Sequence, residues 1–320
     1  MVCLLYDHAE IDNRSRSYEN STAGASCQAG KNGRLVSLRS RAHAGVGGLT
    51  FLDKLHAAID ANATLLCVGL DPELDKLPGH LAPTVEGVVA FNRSIVEATA
   101  DLVCAYKPNL AFYEAMGPDG LRALEATLKA IPARIPVIGD AKRGDVGNTA
   151  RNYARALFDF YGFDAVTVNP YLGADALDPF LDYADRGVFV LCRTSNPGAA
   201  ELQDLLVSES GITCPLYEYV AWRTRSWNRN GNCGLVVGAT APDELRRIRA
   251  LAPDLPLLIP GIGSQGGDLD AAVAAHRPEA PVIISSSRSI IYASSHADFA
   301  MAARAAAERV RDAMGVLSRA

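Results

Sequence analysis

Residues 138–150 read IGDAKRGDVGNTA, placing two carboxylates and a lysine, Asp140, Lys142 and Asp145, directly after the apolar run IPVI. Side chains two apart on a strand point to the same face, so Asp140 and Lys142 share one small volume. Alternating charge where a buried strand ends is either an ion pair or a catalytic centre. A centre of this kind works by electrostatics, with a fixed ammonium stabilising negative charge that develops beside it.

Such groups need a scaffold, and from TFLDKLHAAIDA onward the pattern is regular, with short β-rich runs alternating with amphipathic helical stretches. That alternation signals βα units around a parallel sheet. The runs are LLCVGL (65–70), LVCAYK (102–107), IPVIGD (135–140), AVTVN (165–169), VFVLC (188–192), GLVVGA (234–239), PLLIPG (256–261) and PVIISS (281–286). Eight runs predict a closed (β/α)₈ TIM barrel, a single domain over residues 49–320. Between them, VEGVVAFNRSIVEATA, GLRALEATLKAI, NTARNYARALFDFYG and APDELRRIRALA carry apolar residues at helical spacing. The last has Pro242 near its start and acids in its first turn, as helix N-termini favour. One segment breaks the rhythm: RTSNPGAAELQDLLVSESGITCPLYEYVAWRTRSW, whose polar, Gly/Pro-bearing first part reads as a mobile loop over the barrel mouth.

The totals bound the function. The chain has 320 residues, 49% hydrophobic and 21% charged, with mean hydropathy +0.06, the profile of a globular protein able to bury a sizeable core. Length alone leaves two small domains or one large one open. A net charge of −5 and a pI near 5.7 offer no basic surface for a phosphate backbone, so no nucleic-acid partner is expected. The apolar runs are too short to span a bilayer, so no membrane partner is expected and a cytoplasmic or organelle-matrix location fits. The seven cysteines include no CxxC pair, and Cys67, Cys104 and Cys192 lie inside apolar runs, so all are read as reduced thiols. The six histidines are scattered without metal-ligand spacing, so no metal is expected.

Residues 1–48 differ in composition, being rich in Ser, Arg, Gly and Asn with little periodicity, and read as a disordered extension. A targeting reading is opposed by Asp7, Glu10, Asp12 and Glu19, since transit peptides are poor in acids.

In a barrel the active site is built at the C-terminal strand ends. There stand Asp71 in GLDP, Lys107 in AYKPN, the DAKRGD run, Asn169 in NPYLG, Ser195 in RTSNPG, then PGIGSQGGD and SSSRSI. Asp71, Lys107, Asp140 and Lys142 are either an ion network closing the barrel top or a functional cluster. Burying several charges costs several kcal/mol per ion unless each is well paired, which favours function. The last two segments lie where barrels commonly bind phosphate, with glycines opening backbone N–H groups to an anion and Arg288 adding charge. Tight turns alone would explain the glycines.

Taken in order, GLDP, AYKPN, DAKRGD, PGIGSQGGD and SSSRSI resemble orotidine 5′-phosphate decarboxylases over residues 50 to about 315, in particular a bacterial subgroup with FNRSI and DAKRGD segments. The D-x-K-x-x-D element is shared with metal-assisted sugar-phosphate decarboxylases and hexulose-phosphate synthases; Lys107 and the last two segments narrow the choice. A non-catalytic nucleotide-binding barrel is opposed by the intact Asp140 and Lys142 pair. The resemblance implies decarboxylation of orotidine 5′-monophosphate to UMP with no metal or organic cofactor. It implies that Lys142 stabilises and protonates the carbanion, that Asp140 crowds the substrate carboxylate, and that Lys107 pairs with Asp140. Asp71 would hold the ribose or Lys107, and Ser195 the pyrimidine amide edge; Gln265, Arg288 and backbone amides near Gly263 would hold the phosphate. Asp145 and Thr149 would reach into a neighbouring subunit's site, making a homodimer. Read from the residues alone, Asp145 is equally a helix N-terminal acid, with Asn148 as the cap, and Ser195 a turn serine.

Overall fold

The computed structural model describes residues 49–262 and 267–315. Eight parallel strands follow the eight apolar runs: β1 Leu66–Gly69, β2 Ala105–Lys107, β3 Ile138–Arg143, β4 Ala165–Val168, β5 Gly187–Arg193, β6 Cys233–Val237, β7 Leu257–Pro260 and β8 Val282–Ser286. Their order around the sheet is β2, β1, β8, β7, β6, β5, β4, β3. The ends are joined by single bridges rather than a ladder. Tyr106 N–H donates to Pro136 O at 3.0 Å and Asp140 N–H to Pro108 O at 3.0 Å, so the β2–β3 seam is closed with few bonds. The strands are short and Val/Ile/Leu-rich because side chains on both faces are buried, inside the barrel or under the helices.

The helices start where the chain supplies caps. Thr50 and Asp53 form a reciprocal capping box on Phe51–Asn62, and Thr84 caps Val85–Thr99. The helix Pro242–Leu251 has Pro at its start and Asp243 and Glu244 in its first turn, as expected. The helix after DAKRGD runs Gly147–Arg155 and continues as a π-turn over Ala156–Phe160. Its N-cap position is Val146, without a side-chain cap, so Asn148 does not serve as the cap.

The segment after β5 is not loop throughout. It holds a helical turn at Ala200–Gln203, an antiparallel hairpin of Leu206–Glu209 with Ile212–Pro215, and the helix Leu216–Trp227. Leu206 pairs with Pro215 and Glu209 with Ile212, and the Ser210-Gly211 pair turns the ribbon, both residues having positive φ. The expected extension, residues 1–48, lies outside the described residues. No helix among the described residues is long and apolar enough to cross a membrane.

Candidate active site

The strand ends converge on a cavity of about 350 Å³ whose lining includes Asp71, Lys107, Asp140 and Arg288. Lys107, the last residue of β2, donates to Asp140 Oδ2 at 2.9 Å across the β2–β3 seam. Lys142 Nζ donates to the other oxygen, Oδ1, at 2.6 Å. One buried carboxylate is thus clamped between two ammonium groups. Burial pushes Asp140 toward its neutral form, but Lys107 and Lys142 more than reverse that and hold it well below the usual carboxylate range. Burial likewise opposes the charge on Lys107; the carboxylates of Asp140 and Asp71 override it and hold the ammonium above its ordinary range.

The two lysines differ in exposure. Lys107 is buried, whereas the Lys142 side chain is 48% exposed and so can meet a ligand. Lys142 and Asp140 meet as the spacing predicted, although β3 is not a regular strand there. Its pairing with β4 shifts between Gly139 and Arg143, and Lys142 has φ +49°, in the left-handed region. Thr167 of β4 accepts from the Lys142 backbone N–H at 3.0 Å and donates to Asp140 Oδ1 at 2.9 Å.

Asp71 stands at the same mouth. Its carboxylate accepts from Asn109 N–H at 3.1 Å and from the Ser287 hydroxyl at 2.7 Å, which ties the end of β1 to those of β2 and β8. Gly69 makes this possible, since a Cβ there would stand 2.6 Å from Ser287 Cβ. Asp71 therefore acts on Lys107 through its charge, while its hydrogen bonds go to Asn109 and Ser287.

A model of the orotidine 5′-phosphate decarboxylase / HUMPS family matches residues 64–303. The chain belongs to this family. It is 58% identical over 267 residues to an orotidine 5′-phosphate decarboxylase of Thermomicrobium roseum, covering 82% of this chain and 94% of that one. A second relative of the same description, from Herpetosiphon aurantiacus, is 53% identical over 259 residues, covering 81% and 95%. Among solved structures, an OMP decarboxylase of Leishmania donovani matches with a TM-score of 0.73 and 41% identity, over 85% of this chain and all of that chain (100%).

Against the expected family site, Lys107, Asp140 and Lys142 form one contiguous array, with Asp71 and Arg288 on the same cavity. Asp145 and Thr149 stand apart from it. Asp145 Oδ1 accepts from the adjacent Val146 N–H at 2.8 Å, and Thr149 is exposed on the helix that follows. Ser195 is packed against the end of β6, where a Cβ on Gly238 would stand 2.9 Å from Ser195 Cβ. Gly263 and Gln265 lie outside the described residues.

Reading the strand ends missed Thr167, Asn109 and Ser287. The first had a signal: AVTVN is a buried barrel strand, and a threonine inside it must find hydrogen-bond partners. A larger cavity of about 730 Å³ lies between the Asn169–Ala174 segment and the helix Leu216–Trp227. It is mostly apolar and its lining includes no carboxylate, so it offers no comparable chemistry. Among the described residues no group of three or more His, Cys, Asp or Glu is arranged to hold a metal ion. Cys67, Cys104, Cys192, Cys214 and Cys233 are free thiols, and burial pushes Cys67 up to about 12.

Proposed function

We propose that the chain decarboxylates orotidine 5′-monophosphate to UMP, the last step of de novo pyrimidine synthesis, using fixed charges of its own. The observation that carries this reading is Asp140 held ionised between a buried and an exposed lysine at the cavity mouth. Losing CO₂ from C6 leaves a carbanion in the ring plane that the π system cannot delocalise, so stabilisation must be electrostatic. Lys142 supplies the ammonium and then the proton. Asp140 crowds the departing carboxylate in the ground state, a repulsion relieved as the charge moves away. Lys107 keeps Asp140 ionised and in place.

Asp71 orders the neighbouring end of β2 and binds the ribose, and Ser195 meets the pyrimidine amide edge. Arg288, with Gln265 and backbone amides near Gly263, binds the phosphate, whose binding energy positions the ring. Asp145 and Thr149 complete the site of a second copy, making the enzyme a homodimer. A charged nucleotide substrate fits a cytoplasmic location.

The test is a spectrophotometric assay with orotidine 5′-monophosphate, with and without EDTA. Turnover that chelation does not diminish is expected. Absence of turnover overturns the reading, and loss on chelation restored by Mg²⁺ moves the chain to the metal-assisted sugar-phosphate branch.

A further inference from the structure

The reactive part of β3 is a bulge laid over a single residue. Gly139 pairs with Val166 and Arg143 with Val168, so Asp140, Ala141 and Lys142 all stand opposite Thr167. A bulge takes residues out of the ladder, and their buried N–H groups need other partners. Thr167 supplies one. Its Oγ1 accepts from Lys142 N–H at 3.0 Å, and its single hydroxyl proton goes to Asp140 Oδ1 at 2.9 Å. The same Oδ1 accepts from Lys142 Nζ at 2.6 Å. The result is a closed ring of hydrogen bonds running from the Lys142 backbone through the hydroxyl and carboxylate to the Lys142 ammonium. Thr167 is 1% exposed, so bulk water does not stand in for the hydroxyl. The bulge also places Lys142 at φ +49°, a conformation L-residues hold only when their surroundings fix it.

We propose that Thr167 is a positioning residue for the reaction: its hydroxyl fixes the Lys142 backbone relative to Asp140 and so aims the ammonium at the reacting carbon. The inference rests on Lys142 being the proton donor. Thr167 is buried and is not part of the cavity lining, so removing its hydroxyl acts on the chemical step rather than on binding. Proton delivery and charge stabilisation depend on sub-ångström placement, whereas substrate affinity is spread over the ribose and phosphate contacts.

The experiment compares four single variants with wild type. Thr167→Val keeps the shape and loses the hydroxyl; Thr167→Ser keeps the hydroxyl and loses a methyl. Losing a hydrogen bond to a charged group should lower kcat about 10- to 100-fold in Thr167→Val, with KM within about 3-fold of wild type. Thr167→Ser should stay within about 3-fold of wild type in both constants. A merely space-filling threonine gives the opposite order, with valine active and serine impaired, and that order overturns the proposal. Thr167→Ala covers poor folding of the valine variant: serine and alanine differ only in the hydroxyl, so equal kcat for those two also overturns it. Lys142→Ala is the control for the underlying reading. If wild type turns over, Lys142→Ala does not, and Thr167→Val matches wild type, this inference alone fails. If Lys142→Ala retains wild-type turnover, the reading of Lys142 fails and this inference with it.

Discussion

Two cations are buried at opposite ends of the barrel, and they are held in different ways. Lys107, 6% exposed at the mouth, faces carboxylates. Arg249, 5% exposed, lies among the turns that lead into β7 and β8 and donates to five backbone carbonyls: those of Ala252, Pro253, Leu255, Ala275 and Ala280, at 2.8 to 3.2 Å. Burial pulls the Arg249 guanidinium down to about 10, with Arg277 acting in the same direction, yet it stays protonated at neutral pH. Burial pulls on Lys107 too, but Asp140 and Asp71 push it the other way. Both cations offset their desolvation, one with neutral dipoles and one with anions. Carbonyls saturate the guanidinium, so its field ends in the backbone and its effect is structural. A carboxylate shared between two lysines leaves one of them, Lys142, exposed beside a cavity-lining Asp140, and its effect is chemical.

The sharpest way to break this contrast is to remove one cation at each end. Lys142→Ala should lower turnover by about 10⁴-fold or more, since it removes both charge stabilisation and the proton donor. Its melting temperature should change little, because the side chain is 48% exposed. Arg249→Met should do the reverse: five carbonyls lose a charged donor, costing about 3–5 kcal/mol in urea unfolding, while kcat per folded molecule stays within about 2-fold. A folded Arg249→Met protein without turnover would show that the two ends are not separable.

Asp140→Asn sharpens the electrostatic half. Removing this carboxylate leaves buried Lys107 with no carboxylate in hydrogen-bond contact and only the charge of Asp71, a loss of about 3 kcal/mol near neutral pH. The pH dependence follows from the directions of the shifts. Asp140 is depressed in the folded state, so its contribution is complete above the unfolded carboxyl value of about 4 and is lost as pH falls below it. Lys107 is raised, so its contribution is complete below the unfolded lysine value of about 10.4 and is lost at higher pH. Denaturant unfolding of wild type and Asp140→Asn should therefore show a stability gap that is flat from about pH 5 to 9 and narrows on both sides. A gap that persists unchanged to pH 2 would mean the lysines do not hold Asp140 ionised.

What the sequence made legible divides along the same line. Eight apolar runs become eight strands because a parallel barrel buries both strand faces and so writes each strand as a continuous apolar word. Asp140 and Lys142 are legible because their spacing survives the bulge that carries them. The bulge itself is not, since it depends on how β3 registers against β4, and with it goes the role of Thr167. Asn109 and Ser287 are hidden for a related reason: they serve Asp71 from other strand ends. The hairpin at Leu206–Pro215 is hidden because LVSE has no apolar/polar alternation and both strands are exposed or half-buried. Arg249 looked like one more polar position on an amphipathic helix; only the converging carbonyls of two later turns make it structural.

The smallest expected effect concerns the charge that the array leaves out. Asp145 lies beyond the end of β3, its carboxylate bonded to the next backbone N–H, and Val146 beside it is 53% exposed. A conspicuously exposed apolar residue next to an acid expected in an active site suits a surface that meets a second copy. If Asp145 completes that copy's site, two inactive variants, Lys142→Ala and Asp145→Ala, should complement each other. In the mixed dimer one site carries both lesions and the other carries neither. Equal amounts after full subunit exchange give about half heterodimers, each with one intact site, so activity should recover to roughly a quarter of wild type. Co-expression with two different affinity tags isolates the heterodimer and raises the expected recovery to about half. Purified heterodimers as inactive as either parent would place Asp145 in its own chain's site, and the lysine–aspartate array of one barrel would then be complete without a partner.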